Sequence, residues 1–303
     1  MNPTPAGPLR DRAETPDGLG LAVYDFGGQG PDLLLVHATG FCAEPFGPLA
    51  RTLADRFHCW GLDLRGHGRS DRPVDGDFAW SGFATDVLTV IDHLGLDHPY
   101  GLGHSCGGAS VLLGEQARPG LFRSLYCFEP VVMPDAARAR IAEQNPLTER
   151  ALRRRDTFPS AEAALANYAS KPPYADLDPE ALRLYVESGF ELVPVHEGGD
   201  GRIVRLRCRR EDEAATFTAA GYHEAFGHLA EVTCPVTLCC GEDTDAFGPR
   251  LMQADAEPMP DARVEVLPGM GHFGPLQRPG TVADSVIHAF TGAGKPVDGT
   301  PPS

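Results

Sequence analysis

In the stretch "YGLGHSCGGASVLLGE" a serine, Ser105, stands between two glycines, Gly103 and Gly107, where one hydrophobic pattern gives way to another. Before it lies a short run bounded by His98 and Pro99. After it, Ala109, Val111, Leu112 and Leu113 suit a packed helix face better than a strand. The pattern predicts a strand-to-helix turn with Ser105 at its tip. Backbone strain is expected there, and a Cβ two positions before or after the serine would collide with the neighbouring strand and helix. Such a turn presents an exposed hydroxyl at the start of a helix, where free N–H groups favour negative charge. In a chain with 35 glycines the same G-x-S-x-G pattern also arises in an ordinary glycine-rich turn, so the surrounding elements must decide.

Those elements alternate. Strands are expected at "LAVYDFG", "DLLLVHATG", "FHCWGLDLRG", "HPYGLGHS", "FRSLYCFEP", "PVTLCCGE" and "ARVEVLPG". Helical patterns fall between several of them, at "FGPLARTLAD" and "FATDVLTVIDHLGL", and a closing helix at "TVADSVIHAF". Continuous apolar runs such as "DLLLVHATG" suit strands buried on both faces of a mainly parallel sheet wrapped by helices. Residues 131–232 break the rhythm, with helical candidates at "AARARIAEQ", "TERALRRRD", "SAEAALANYAS" and "PEALRLYVESGF". An insertion there would cap the carboxyl edge of the sheet, where parallel α/β folds bind ligands. Residues 1–20 and 293–303 are rich in Pro, Gly and Asp and are expected to be loose.

The totals narrow the partners. With 303 residues the chain can bury a sizeable core, and 42% hydrophobic with 22% charged residues is ordinary globular composition. A net charge of −16 argues against nucleic acid or an anionic membrane as partner, since both are bound by clustered cations, and leaves a small-molecule substrate. The N-terminus has no apolar targeting core and no window approaches the roughly eighteen apolar residues of a spanning helix, so a cytoplasmic enzyme is expected. Eight cysteines without a repeated C-x-x-C read as buried thiols rather than disulfides or a metal site. Monomer and homodimer both remain open.

Four motifs occur in a fixed order: "HATGF", "LDLRGHGRSD", "GHSCGG" and "LPGMGHFGPLQRP". In that order they resemble the α/β-hydrolase family over residues 21–290, with the middle third matching only as a cap. The resemblance implies a mainly parallel twisted sheet flanked by helices, formed by residues 21–130 and 233–292. It also implies a helical cap, residues 131–232, inserted after the strand that follows the nucleophile turn.

By the same resemblance Ser105 is the nucleophile, and His272 in "GMGHF" is the base that a serine hydroxyl requires. One oxyanion donor is the backbone N–H of Cys106. The other comes from the "HATGF" turn, with Phe41 the first choice and Thr39 or Gly40 behind it. The acid is the open member. Relatives usually carry an aspartate where this chain has Thr244, flanked by Asp243 and Asp245. In some relatives the acid instead ends the strand after the nucleophile turn, where Glu129 stands. A carboxylate at the end of an apolar strand is costly unless paired, which favours Glu129 over Asp243 and Asp245.

Other polar residues have plainer readings. His37 and His67 are expected to hold loops, His104 to be directed away by the turn, and Asp63 and Arg65 to tie loops near the site. The runs "RRRD" and "RLRCRRED" could mark an anionic substrate, but their neighbouring acids favour solvated salt bridges. Phe158, Tyr168, Tyr174, Tyr185 and Phe190 read mainly as cap core. The expected activity is cofactor-independent and metal-free hydrolysis, through an acyl-enzyme, of an ester or lactone of a small to medium apolar acid. Carbon–carbon bond hydrolysis, perhydrolysis, or ligand binding with little turnover are the alternatives. Epoxide hydrolysis and dehalogenation are disfavoured because relatives with those activities use aspartate at the position of Ser105.

Overall fold

The computed structural model describes residues 9–195 and 201–292. The first part of the chain runs β1 (Leu9–Glu14), β2 (Gly20–Gly28), β3 (Asp32–Val36), α1 (Gly47–Leu53), β4 (His58–Leu62), α2 (Trp80–Leu94), β5 (Tyr100–His104), α3 (Cys106–Ala117) and β6 (Ser124–Phe128). The inserted part runs α4 (Asp135–Glu143), α5 (Pro146–Leu152), β7 (Thr157–Phe158), α6 (Ala161–Ala169), α7 (Pro179–Gly189), β8 (Phe190–Pro194), β9 (Arg202–Leu206) and α8 (Arg210–Ala219). The chain then completes the first layer with β10 (Val236–Gly241), α9 (Pro249–Ala256), β11 (Ala262–Leu267), α10 (Gly274–Gln277) and α11 (Pro279–Thr291).

Among the described residues, eight strands form one sheet in the order β1-β2-β4-β3-β5-β6-β10-β11. From β4 to β11 all neighbours are parallel, while β2 runs antiparallel to β4 and β1 to β2. The central strands β5 and β10 are buried at every position, which explains their lack of polar alternation. One face packs on α2, α3 and α9 through Phe83, Val87, Leu112 and Met252; the other packs on α1 and α11 through Leu49, Leu53, Val282 and Val286. Crossovers of this kind bring the ends of β3, β5, β6, β10 and β11 to one edge, and every candidate catalytic group follows one of those ends.

Two expectations need correction. Residues 9–14 are not loose but form β1, whose alternating "LRDRAE" adds an edge strand that pairs with β2. The proline- and glycine-rich flanks hid a strand whose partner, β2, is the next strand in the chain. Residues 1–8 and the expected disordered tail, 293–303, lie outside the described residues. The inserted segment is not wholly helical either: β7, β9 and β8 make a three-stranded antiparallel sheet. The helical pattern of α7 runs directly into β8 at Phe190, so its end is not visible in the spacing. Glu211, Asp212 and Glu213 open α8, where negative charge suits the helix N-terminus.

Asp255, on α9, is fully buried and neither carboxylate oxygen has a hydrogen-bond partner among the described residues. Burial pushes its carboxyl up to about 8. Because that lies above the unfolded value, the fold prefers the protonated form, and stability falls as pH rises between about 4 and 8. Asp255→Asn is therefore expected to melt near wild type at pH 5 and well above it at pH 9, by a few kcal/mol at about 1.4 kcal/mol per pH unit. Thermal melts at both pH values check this; an equal difference at the two would refute it.

Candidate active site

The Ser105 turn is built by exclusion of side chains. Ser105 joins β5 to α3 with φ 55° and ψ −114°, a left-handed conformation that costs a non-glycine residue about 1–3 kcal/mol. A Cβ on Gly107 would lie 2.1 Å from the Val36 carbonyl oxygen, and one on Gly103 would lie 2.4 Å from the Gly107 carbonyl oxygen. Backbone atoms cannot retreat from such overlaps, so both positions require glycine. The Ser105 N–H donates to Phe128 at 2.9 Å, and its carbonyl accepts from Ala109 and Val131, each at 3.1 Å. The strained residue is thus held from β6, from its own helix and from the start of the insertion.

His272 and Glu129 meet. The imidazole Nδ1 lies 2.7 Å from Glu129 Oε2, with the carboxylate fully buried and the imidazole 16% exposed. Proton sharing at Nδ1 leaves the lone pair of a neutral ring on Nε2, the arrangement a base needs. Glu129 directly follows β6, at φ 44°. Its buried charge is met by donors: Gly241 N–H reaches Oε1 at 3.0 Å, while the Thr244 hydroxyl and the Phe247 N–H reach Oε2 at 2.8 and 3.4 Å. Asp243 and Asp245 are exposed and have no hydrogen bond to His272. Thr244, at the usual acid position of the family, therefore supports the carboxylate instead of supplying it.

His104 has a task that its sequence position did not reveal. Its side chain leaves the turn and donates Nε2–H to the His272 carbonyl at 2.7 Å, with the two rings 5.0 Å apart. Burial holds the His104 ring well below the usual histidine range, so it stays neutral. The backbone and the ring of His272 are thereby fixed from β5 and β6 respectively.

The second oxyanion candidate shifts. Residues 38–41 form a turn closed by the Phe41 N–H donating to the Ala38 carbonyl at 3.1 Å, with Gly40 at φ 78°. A turn of this type consumes the N–H of its last residue and leaves that of its second residue outside the bond. The Phe41 N–H, the first choice, is thus engaged within the turn, while those of Thr39 and Gly40 lie outside that bond. The Cys106 thiol, which burial pushes up to about 12, has the Thr39 hydroxyl as a neighbour that offsets part of that shift. That contact sets Thr39 beside the residue whose backbone N–H opens α3.

Loop residues hold this turn. His37 accepts the Leu64 N–H at Nε2, 3.0 Å, and its Nδ1–H donates to the Ala38 carbonyl at 2.8 Å. Burial and the neighbouring His67 push His37 down to about 3, so the ring is neutral. His67 donates Nδ1–H to the Arg65 carbonyl. Asp63 accepts from the Tyr24 hydroxyl and from the Ala43 and Arg69 N–H groups at 2.7–2.8 Å, and Arg65 pairs with buried Asp86 at 2.7 Å.

Above the turn, the Phe41 ring packs 4.9 Å from Tyr185, 5.4 Å from Phe273 and 5.9 Å from Tyr174. Tyr168, Phe158 and Phe190 extend the aromatic cluster into the insertion. The arginine runs divide. Arg153, Arg205 and Arg210 make surface or half-exposed pairs, as expected. Arg154 does not: its guanidinium is 13% exposed, pairs with Glu213 at 2.8 Å and contacts the hydroxyls of Tyr168 and Tyr185. Three consecutive arginines look alike in sequence, and only the packing of α5 against α8 separates the buried one.

All eight cysteines are buried free thiols. Among the described residues, no group of three or more His, Cys, Asp or Glu side chains could hold a metal ion, and no helix is long and apolar enough to cross a membrane.

Comparison with known proteins identifies relatives of the chain. A model described as "Alpha/beta hydrolase family" matches residues 33–285. The chain is 29% identical over 249 residues to 2-(acetamidomethylene)succinate hydrolase of Mesorhizobium japonicum, covering 81% of this chain and 83% of that one. It is 34% identical over 110 residues to N-formylmaleamate deformylase of Pseudomonas putida, covering 36% of this chain and 41% of that one. The crystal structure of E-2-(acetamidomethylene)succinate hydrolase superposes with a TM-score of 0.78 at 25% identity, covering 92% of this chain and 97% of that chain.

Proposed function

Because the chain belongs to the α/β hydrolase family and is a hydrolase, we propose that it acts as a serine hydrolase through an acyl-enzyme, with Ser105, His272 and Glu129 as its triad. Ser105 attacks a carbonyl carbon while His272 Nε2 takes the hydroxyl proton. The same proton then goes to the leaving oxygen or nitrogen, and water repeats the sequence to release the acid. Glu129 orients the imidazole and stabilises its charged form. The N–H groups of Cys106 and Thr39 receive the developing oxyanion, a role worth about 10²- to 10³-fold per donor. Every step uses groups of the chain itself.

The observation that carries this reading is the 2.7 Å bond between His272 Nδ1 and the buried Glu129 carboxylate. A buried carboxylate with donors on both oxygens and an imidazole on one is costly to assemble and suits a base. The substrate is proposed to be a small acyl compound, an ester, lactone or amide. Two relatives are named for small substrates, 2-(acetamidomethylene)succinate and N-formylmaleamate.

Mixing the enzyme with p-nitrophenyl acetate is expected to give a burst of about one p-nitrophenolate per active site, the kinetic mark of a covalent intermediate. Mass spectrometry of acid-quenched protein should place the acetyl group on the peptide containing Ser105. An adduct elsewhere, or steady release with no adduct, would overturn the acyl-enzyme.

A further inference from the structure

Arg154 and Glu213 lie against the turn proposed to hold the oxyanion. A Cβ on Gly40 would stand 2.7 Å from Glu213 Oε1 and 3.2 Å from Arg154 Nη1, so the turn's backbone and the ion pair are in contact. Arg154 follows α5 and Glu213 sits in the first turn of α8, both in the insertion. Joining these helices does not demand charge, since a buried ion pair is usually no more stabilising than apolar side chains of similar volume. Something else must favour a charged pair at this place.

The hydrogen-bond inventory shows what the pair has to offer. A guanidinium has five N–H donors. One Nη1 hydrogen serves Glu213 Oε2, Nε and Nη2 reach the Tyr168 hydroxyl at 3.3 and 3.1 Å, and Nη2 also meets the Tyr185 hydroxyl. That leaves one Nη1 hydrogen without a partner among the described residues. Glu213 Oε2 is taken by Arg154, whereas Oε1, the atom nearest Gly40, accepts no hydrogen bond among them. A donor and an acceptor therefore stand side by side on the edge of the pair that faces the turn. Tyr174 and Tyr185 present their ring faces to the guanidinium, 5.8 and 5.9 Å from its central carbon.

Charge selects the ligand class. The pair is neutral as a whole, so a substrate carboxylate would meet Glu213 with no second cation to offset it, and an ammonium would meet Arg154. A neutral group that donates and accepts at adjacent atoms fits both. We propose that Arg154 and Glu213 form a specificity subsite for a carboxamide on the acyl substrate, its N–H donating to Glu213 Oε1 and its carbonyl accepting from Arg154 Nη1. The proposal rests on the serine-hydrolase reading of the same site and adds the substrate's second functional group.

The test uses methyl succinamate, methyl levulinate and monomethyl succinate, which share a methyl ester and end in carboxamide, methyl ketone and carboxylate. Binding of each to Ser105→Ala protein is measured by calorimetry. The carboxamide is expected to bind about 10- to 100-fold tighter than either of the others, the range for hydrogen bonds to charged groups. Equal binding of all three, no measurable binding of the carboxamide, or tighter binding of the carboxylate would overturn the subsite. Adding Glu213→Gln should bring carboxamide and ketone to near equality. The three-ligand comparison needs no change in the insertion, so it decides the matter even if that variant misfolds. Turnover separates the two readings: Ser105→Ala that still hydrolyses the esters defeats the nucleophile, whereas loss of turnover with indiscriminate binding defeats the carboxamide subsite alone.

Discussion

Ser105→Ala is expected to lower kcat on p-nitrophenyl esters by on the order of 10⁴-fold or more, the loss that follows removal of a nucleophile acting as one unit with its base. Residual activity would come from the oxyanion donors and binding alone. The same position predicts a change in stability. At φ 55° and ψ −114° any side chain is strained, and glycine is not. Ser105→Gly should therefore be as inactive as Ser105→Ala and melt higher than it, at about 2–4 °C for each kcal/mol of strain relieved. Rate assays and thermal melts of the two variants check both halves. Substantial activity in either would remove Ser105 from the mechanism, and a Gly variant that melts below the Ala variant would show the turn to be unstrained.

Glu129→Gln is expected to reduce kcat by about 10³- to 10⁴-fold with little change in KM, as when a triad carboxylate becomes an amide and the imidazole takes the wrong tautomer. The double variant Asp243→Asn with Asp245→Asn should stay within a few-fold of wild type, since neither carboxylate contacts His272. The reverse ranking would move the acid to the loop after β10. A further variant separates orientation from simple damage to the site. The Thr244 hydroxyl lies 2.8 Å from Glu129 Oε2, so Thr244→Asp added to Glu129→Gln places a carboxylate within reach of the same imidazole. It is expected to recover about tenfold of the lost rate, less than the roughly 10²-fold lower end for an optimally positioned acid–base group, because the shorter side chain starts from the neighbouring loop. No recovery would assign Glu129 a structural role in the loops it braces.

Each candidate residue shows how far its neighbours in sequence could locate it. Gly103, Ser105 and Gly107 were legible because the constraint is local: two residues on either side decide whether a strand can turn into a helix. His272 was legible by its motif, which sets a glycine-rich turn after a strand. His104 was misleading for the same reason. Its place beside Ser105 says which way the chain turns, not that its ring ends on the carbonyl of a residue 168 positions away. The turn at residues 38–41 follows from its motif, yet which of its N–H groups is free depends on one intra-turn hydrogen bond, which engages Phe41 and leaves those of Thr39 and Gly40.

By itself, the sequence determined the alternation of buried strands and helices, the family, the strained turn at Ser105 and the histidine proposed as its base, because these follow from local spacing, motif order and steric exclusion. Only the tertiary structure decided the rest. It brought Glu129 to His272 across 143 residues and turned Thr244 into that carboxylate's donor. It also buried one arginine of three against Glu213 at the turn. These are meetings between side chains on different elements. A carboxylate or guanidinium at such a point is stable only when the fold supplies its partner, and which partner arrives is set by how the sheet edge and the insertion pack.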